Sequence, residues 1–298
     1  QELNFYPCKC LSSDVFKKFS LRLLFGEETS HLSEQQISVC RSAFFPEIKI
    51  KTSDNEVIQN IKVCDAGQEE FAKNLPYGHS MVSGVPGSGK TVIMLARALY
   101  LAKENPNWQI LIITYNKSLA SRLSSRIQAI SDELDFLNIP YQNIKVLTFH
   151  QLALKISNSV VPQNAGDSFW DVDLPKTALA KAEPLYDFVL IDEYQDFFDD
   201  WFRLCVKIIK PILINGKQYT NLFLAGDRLQ SIYRTLTKTW KELGIEIHGG
   251  GRSKLLKKSY RTAKSHISLA LDLLMSDKGL AVDVDKFYEG RNEIGHVS

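Results

Sequence analysis

From about residue 79 onward the chain repeats one rhythm: a short apolar run, a small or polar cluster, then a segment with helical spacing. The runs are His79–Val85, Gln109–Tyr115, Ile144–Phe149, Phe188–Asp192 and Asn221–Ala225. Each has the length of a strand, and several are nearly unbroken apolar, as strands buried on both faces read. Between the runs, Leu119, Leu123, Ile127 and Ile130 fall on one helical face. Trp201, Cys205, Ile208 and Ile209 do the same before Pro211 breaks the helix. Strands alternating with helices predict an α/β fold, a parallel sheet with helices on both faces. Ligands of such sheets bind at the carboxyl ends of the strands, so chemistry is expected just after each run.

Composition narrows the class. The 298 residues give room for roughly two domains. With 44% apolar and 23% charged residues the chain is neither disordered nor low-complexity. No stretch approaches the roughly 18–20 apolar residues of a membrane span, so no membrane partner is expected. The opening segment lacks the layout of a secretory signal, and a start at Gln1 suggests a processed or excised chain. A net charge of +2 gives no global field for nucleic acid, so any such affinity must come from local patches. The five scattered cysteines are a poor disulfide framework and fit a reducing cytoplasm. Residues 1–60 do not share the rhythm; Val15–Phe25 and Ser33–Phe45 are expected helices, so this segment is read as small and mainly helical. The expected divisions are 1–60, a nucleotide lobe at 61–250, and the start of a further lobe at 251–298.

After the first run stands Gly84-Val85-Pro86-Gly87-Ser88-Gly89-Lys90-Thr91, a full match to the phosphate-loop pattern. Gly87 and Gly89 let the backbone wrap closely enough for N–H groups to face phosphate oxygens. Lys90 sets a compact charge against the outer phosphates, and Thr91 offers a hydroxyl to Mg²⁺. The helix Thr91–Glu104 then presents its amino end to the anion. Gly84, Gly87, Ser88, Gly89, Lys90 and Thr91 are therefore the candidate phosphate-binding residues, and ATP with Mg²⁺ the expected ligands. Such a site needs a carboxylate for the metal and a group to orient water. Val189-Leu190-Ile191-Asp192-Glu193 supplies both at the end of an apolar run: Asp192 for the metal, Glu193 as general base.

These residues and their order resemble the motifs of UvrD/Rep-type superfamily 1A helicases, over about residues 60–265. Ile191-Asp192-Glu193-Tyr194-Gln195-Asp196 is similar to the family's acidic motif II. Asp65-Ala66-Gly67-Gln68 carries a Gln like the one that reads adenine. Ile112–Lys117 is similar to motif Ia, Thr148-Phe149-His150 to Ib, Leu224–Tyr233 to III, and Ser259-Tyr260-Arg261-Thr262 to IV. Phe169-Trp170 through Trp201, and the run to Gly244, look most like the branch often fused to a NERD nuclease-related domain. The resemblance implies a RecA-like P-loop NTPase fold and a DNA-dependent ATPase moving 3′ to 5′ along single-stranded DNA. It implies that Gln230 senses the γ-phosphate, that Arg261 reaches it from a second lobe, and that Tyr260 stacks on adenine. Tyr115, Asn116, Lys117, Phe149, His150 and Tyr233 would line the strand track. Acid-free stretches at Pro106–Ser131 and Ile247–Leu271 add Lys117, Arg122, Arg126, Arg252, Lys254 and others beside the aromatics, as single strands require.

Three departures temper the resemblance. The chain ends too soon after Arg261 for a full second lobe, the stretch between motifs Ia and II is short, implying a reduced 1B insertion, and Lys258-Ser259 replaces the usual Asn before Tyr260-Arg261. Translocation needs two lobes closing on ATP. The isolated chain is therefore expected to bind ATP and Mg²⁺ but to hydrolyse weakly or not at all and to unwind nothing alone, with the second lobe or a partner chain supplying the rest. A short non-motor ATP-binding switch and a small-molecule kinase remain the alternatives.

Overall fold

The structure, a computed structural model, describes residues 47–51, 58–62, 77–85, 87–133, 139–227, 238–247, 252–256, 258–259 and 295–296. Gln68, Gln230, Tyr233, Tyr260 and Arg261, and the helices expected at Val15–Phe25 and Ser33–Phe45, lie outside these residues. The chain divides into two compact units: residues 1–74, 92–107 and 125–143 form one, and 75–91, 108–124 and 144–298 the other.

The first unit contains an antiparallel strand pair, β1 (Glu47–Lys51) and β2 (Ile58–Lys62), with Glu47 opposite Lys62 and Lys51 opposite Ile58. These strands fall at the end of the segment read as mainly helical. The unit also holds most of α1 (Lys90–Glu104) and the second half of α2 (Lys117–Glu133). Ile93, Met94, Leu95, Ala96, Ala98, Leu99, Leu101 and Ala102 are all buried, so α1 is apolar almost all round, as an interior helix reads. In α2, Leu123, Ile127 and Ile130 are buried at helical spacing, while Leu119 is half-buried.

The second unit is built on a six-stranded sheet. Its strands are β3 (His79–Gly84), β4 (Ile110–Thr114), β5 (Ile144–Thr148), β6 (Phe188–Asp192), β9 (Leu222–Gly226) and β10 (Ser253–Leu256). A small antiparallel hairpin, β7 (Ile212–Ile214) and β8 (Lys217–Tyr219), precedes β9. The order across the sheet is β10-β3-β9-β6-β4-β5, and every neighbouring pair is parallel. This is the α/β, RecA-like arrangement expected. Every residue of β4, β6 and β9 is buried, which accounts for their unbroken apolar runs.

One face of the sheet contributes Leu111, Ile113, Val189, Ile191, Leu222 and Leu224 to a core shared with three helices, α3 (Phe149–Ser157), α4 (Leu174–Lys181) and α5 (Asp199–Lys207). The alternate residues, including Ile110, Ile112, Leu190 and Phe223, are equally inaccessible. Helix α5 ends at Lys207, with Ile208 capping it, so Pro211 lies beyond the break rather than making it.

The division expected at residue 250 differs from the structure. Strand β10 pairs in parallel with β3, Ser253 opposite Met81 and Leu256 opposite Gly84, and so belongs to the same sheet. Its Ser-Lys-Leu-Leu sequence is short and half polar, as suits an edge strand, and lacks the apolar run that marks the central ones.

Candidate active site

Because all six strands run the same way, the ends of β3, β6 and β9 come level: Ser83 lies opposite Gly226, and Asp192 opposite Ala225. The phosphate loop leaves β3 at Gly84, where a side chain has no room. A Cβ there would stand 2.6 Å from the Leu256 carbonyl oxygen and 2.9 Å from Ser88 Oγ. Gly87 and Gly89 take φ of 74° and 92°, conformations open to glycine and strained for other residues. Ser88 is fully buried, and its N–H donates to the Val85 carbonyl at 3.2 Å.

Lys90, the first residue of α1, is buried, and its Nζ donates to the carbonyls of Gly84 at 2.7 Å and Val85 at 3.2 Å. The loop thus curls around its own ammonium group. Thr91 Oγ1 lies 3.2 Å from Asp192 Oδ2 and 3.5 Å from Oδ1, joining the loop to the end of β6.

Asp192 is wholly buried. Burial, and then the neighbouring Glu193 carboxylate, push its pKa up to about 7, against the opposing pull of Thr91, the Glu193 N–H and Lys90. A carboxylate held so dry gains from a cation beside it. Mg²⁺ is typically held by one or two carboxylates together with phosphate oxygens and water. Asp192 with the Thr91 hydroxyl is a donor set of that kind. Among the described residues no group of three or more His, Cys, Asp or Glu forms a protein cage.

Glu193 sits half-buried in the left-handed region, at φ 53° and ψ 50°, an uncommon conformation for a residue with a Cβ. Its carboxylate accepts a hydrogen bond from Gln195 Nε2 at 2.7 Å. The other end of the same amide, Gln195 Oε1, accepts the Asp227 N–H at 3.0 Å. Asp199 and Asp200 lie instead in the first turn of α5, where acidic charge suits the helix start. Gln195 stands in the acidic motif of the sequence but was not among the expected site residues.

A second group of side chains follows β4 and β5. Asn116 caps α2, its Oδ1 accepting the N–H of Ser118 at 2.8 Å and of Leu119 at 3.4 Å. Thr148 and Gln151 form a capping box at the start of α3. Phe149 requires a correction. Expected on the strand track, it is fully buried and stacks on Trp201, centroids 4.0 Å apart and planes 4° from parallel, so it is a core ring. Tyr115 stacks on the same Trp201 at 6.0 Å but is 39% exposed, and His150 meets Trp201 edge-on at 4.9 Å. Lys117 is exposed. Trp170, in the turn Phe169–Asp173, packs edge-on against His150 at 5.5 Å. Phe149 and Trp201 therefore form a floor that carries Tyr115 and His150.

Arg252 also departs from its expected place among the strand-binding cations. It precedes β10, at the opposite end of the sheet, and donates to the carbonyls of Tyr77 at 2.7 Å and His79 at 3.3 Å.

Residues 65–173 match the model of the UvrD/REP helicase N-terminal domain. Over that stretch the chain is similar to the UvrD/Rep helicases. No match was found among curated proteins. The matched segment holds the glycine-rich loop, α1, β4 and β5, and ends in the turn that carries Trp170. Among the described residues no helix is long and apolar enough to cross a membrane.

Proposed function

We propose that this chain is the ATP-binding lobe of a DNA-dependent ATPase motor that moves 3′ to 5′ along single-stranded DNA, in a reducing cytoplasm. The observation that carries the reading is the meeting of Lys90, Thr91 and Asp192 at the aligned carboxyl ends of β3 and β6. A triphosphate entering the loop takes the Lys90 ammonium from the Gly84 and Val85 carbonyls, which exchanges a weak neutral partner for a charged one. Asp192 and Thr91 would hold Mg²⁺, which when bound would supply charge neutralisation at the phosphates. Glu193 accepts the proton of the attacking water.

Gln68 and Tyr260 serve the adenine in this reading. Gln230 and Arg261 serve the γ-phosphate, the latter from a second RecA-like lobe supplied by further chain or by a partner. Tyr115, His150, Lys117 and Tyr233 contact the strand in this reading. Asn116 shapes this contact through the cap it makes. Stacking on exposed aromatics is worth about 1–3 kcal/mol per base.

The test is titration of wild type and Lys90→Ala with labelled ATP in Mg²⁺, with and without a single-stranded oligonucleotide. Wild type is expected to bind ATP, and the variant to lose at least about a hundredfold in affinity. Equal binding by both would end the assignment of the loop.

A further inference from the structure

At the carboxyl end of the sheet, Thr114 stands apart from the other buried polar side chains. It closes β4, is fully buried, and its hydroxyl oxygen has no hydrogen-bond partner among the described residues. Buried hydroxyls are nearly always bonded, because leaving one dry and unpaired costs folding free energy. Its neighbour across the ladder shows the usual outcome. Thr148, opposite it on β5, is also buried and uses its Oγ1 to accept the Gln151 N–H at 3.2 Å. Packing alone would favour valine at 114, which has the same shape and no unpaired oxygen.

The register shows what this hydroxyl borders. Strand β4 runs beside β6, with Ile112 opposite Leu190 and Ile113 opposite Ile191. One step on, Thr114 comes level with Asp192, the last residue of β6. Neighbouring strands lie about 4.8 Å apart, and successive side chains alternate between the faces. Ile113 and Ile191 belong to the core shared with α3, α4 and α5, so Thr114 and Asp192 both take the other face. That is the face on which Thr91 Oγ1 meets the Asp192 carboxylate at 3.2 Å. Thr91 thus approaches Asp192 from the loop after β3, and Thr114 flanks it from β4.

We propose that Thr114 is a positioning residue for the metal: its hydroxyl accepts a hydrogen bond from a water in the shell of the Mg²⁺ that Asp192 and Thr91 would hold. The inference rests on the ATPase reading above and deepens it by naming an outer partner for the same site. The chemistry of the hydroxyl fits. A Mg²⁺ ion beside phosphates usually keeps several waters, and these are strong donors that need acceptors close by. A hydroxyl offers two lone pairs and can turn its own proton away from them. Outer partners of this kind orient the inner ones and carry a large share of a site's affinity for its metal. Thr114 touches neither nucleotide nor ion in this scheme; it acts through the water. A group that burdens the fold on its own is thereby bonded when the ligands bind.

Two substitutions move folding and metal binding in opposite directions. Thr114→Val keeps the shape and removes the hydroxyl. Thr114→Ser keeps the hydroxyl and removes a methyl group from the interior. For wild type and each variant, affinity for a labelled, non-hydrolysable ATP analogue is measured once in Mg²⁺ and once in EDTA. The midpoint of denaturant unfolding is measured without nucleotide.

Wild type is expected to bind the analogue more tightly in Mg²⁺ than in EDTA. Thr114→Val is expected to forfeit about tenfold of that gain while its affinity in EDTA stays within about twofold of wild type. It should also unfold at or above the wild-type midpoint, because an unpaired hydroxyl has gone. Thr114→Ser is expected to keep the gain within about threefold, yet to unfold at a lower midpoint for want of the methyl group. A Val variant with the full gain overturns the proposal. So does one that unfolds below wild type, or that loses affinity equally in EDTA, since either result marks a structural role. A Ser variant as impaired in the gain as Val overturns it too. Wild type that binds equally with and without Mg²⁺ ends the role of Thr114 and leaves the nucleotide site standing. Wild type that binds in neither condition removes the ATPase reading itself.

Discussion

The two ends of one sheet are built from similar residues to opposite purposes. At the amino end the polar groups satisfy one another. His79 Nε2 meets Thr220 Oγ1 at 2.8 Å, and its Nδ1 accepts the Glu246 N–H at 2.9 Å, which makes the ring a neutral Nε2–H tautomer. Buried Asn221 accepts the Gly78 N–H at 3.0 Å and donates to the Asp187 carbonyl at 3.3 Å. Asp187 holds the Gln109 N–H at 2.7 Å and Lys210 at 3.2 Å, and Arg252 clasps the Tyr77 carbonyl. At the carboxyl end, buried charge is left under tension. Asp192 is dry, Lys90 is buried with its ammonium group on main-chain carbonyls, and Glu193 accepts a strained backbone. Equal burial of polar groups therefore does not mark a site. What marks it is whether the partners found inside the chain discharge the cost of burying them.

The sharpest way to break this contrast is a crossed pair of substitutions. Lys90→Ala is expected to remove at least about a hundredfold of ATP affinity, while changing unfolding free energy by less than the substitution at the other end. Asn221→Ala strands the Gly78 N–H and the Asp187 carbonyl in the interior. It should cost about 2–3 kcal/mol in denaturant unfolding and leave ATP affinity within twofold. If Asn221→Ala weakened nucleotide binding more than folding, the division between the ends would fail.

A pH series refines the amino end. Burial, with a smaller push from Arg252 and against the pull of Glu246, lowers the His79 pKa from 6.5 to about 4. Below about pH 6.5 the unfolded chain takes up the proton first, so this contribution to stability is intact above that pH and drains as the pH falls towards 4. The slope reaches about 1.4 kcal/mol per pH unit. His79→Gln is expected to be less stable at pH 7.5 yet flatter between pH 6.5 and 4 in chemical denaturation; an unchanged slope would remove His79 from the network. The smallest effect belongs to Asn116→Ala, where losing the cap of α2 should cost about 1 kcal/mol. If it lowered oligonucleotide affinity with no loss of stability, Asn116 would be a direct contact instead.

Much of the sheet was legible because parallel strands buried on both faces have to be apolar throughout. Phe188–Asp192 matches its run residue for residue, and His79–Gly84 falls one short of its run. Ile144–Phe149 overran by one because Thr148 and Gln151 cap a helix there, drawing Phe149 into its first turn. The shape of the loop after β3 was readable because its glycines, Lys90 and Thr91 are neighbours in the chain. Phe149 as a core ring was not, since only Trp201, far along the chain, tells the two readings apart. The partner of Gln195 Oε1 was equally hidden: it is an N–H 32 residues downstream. Strand β10 was missed because half of its residues are polar, so it shows no apolar run.

The place of β9 between β3 and β6 has one more consequence. The stems that bear the glycine-rich loop and Asp192 stand two ladder spacings apart, roughly 9.6 Å. That gauge is cut in peptide geometry, and no exchange of side chains resets it. Evolution can retune the grip on either rail, while the width of the track bed stays as the backbone laid it.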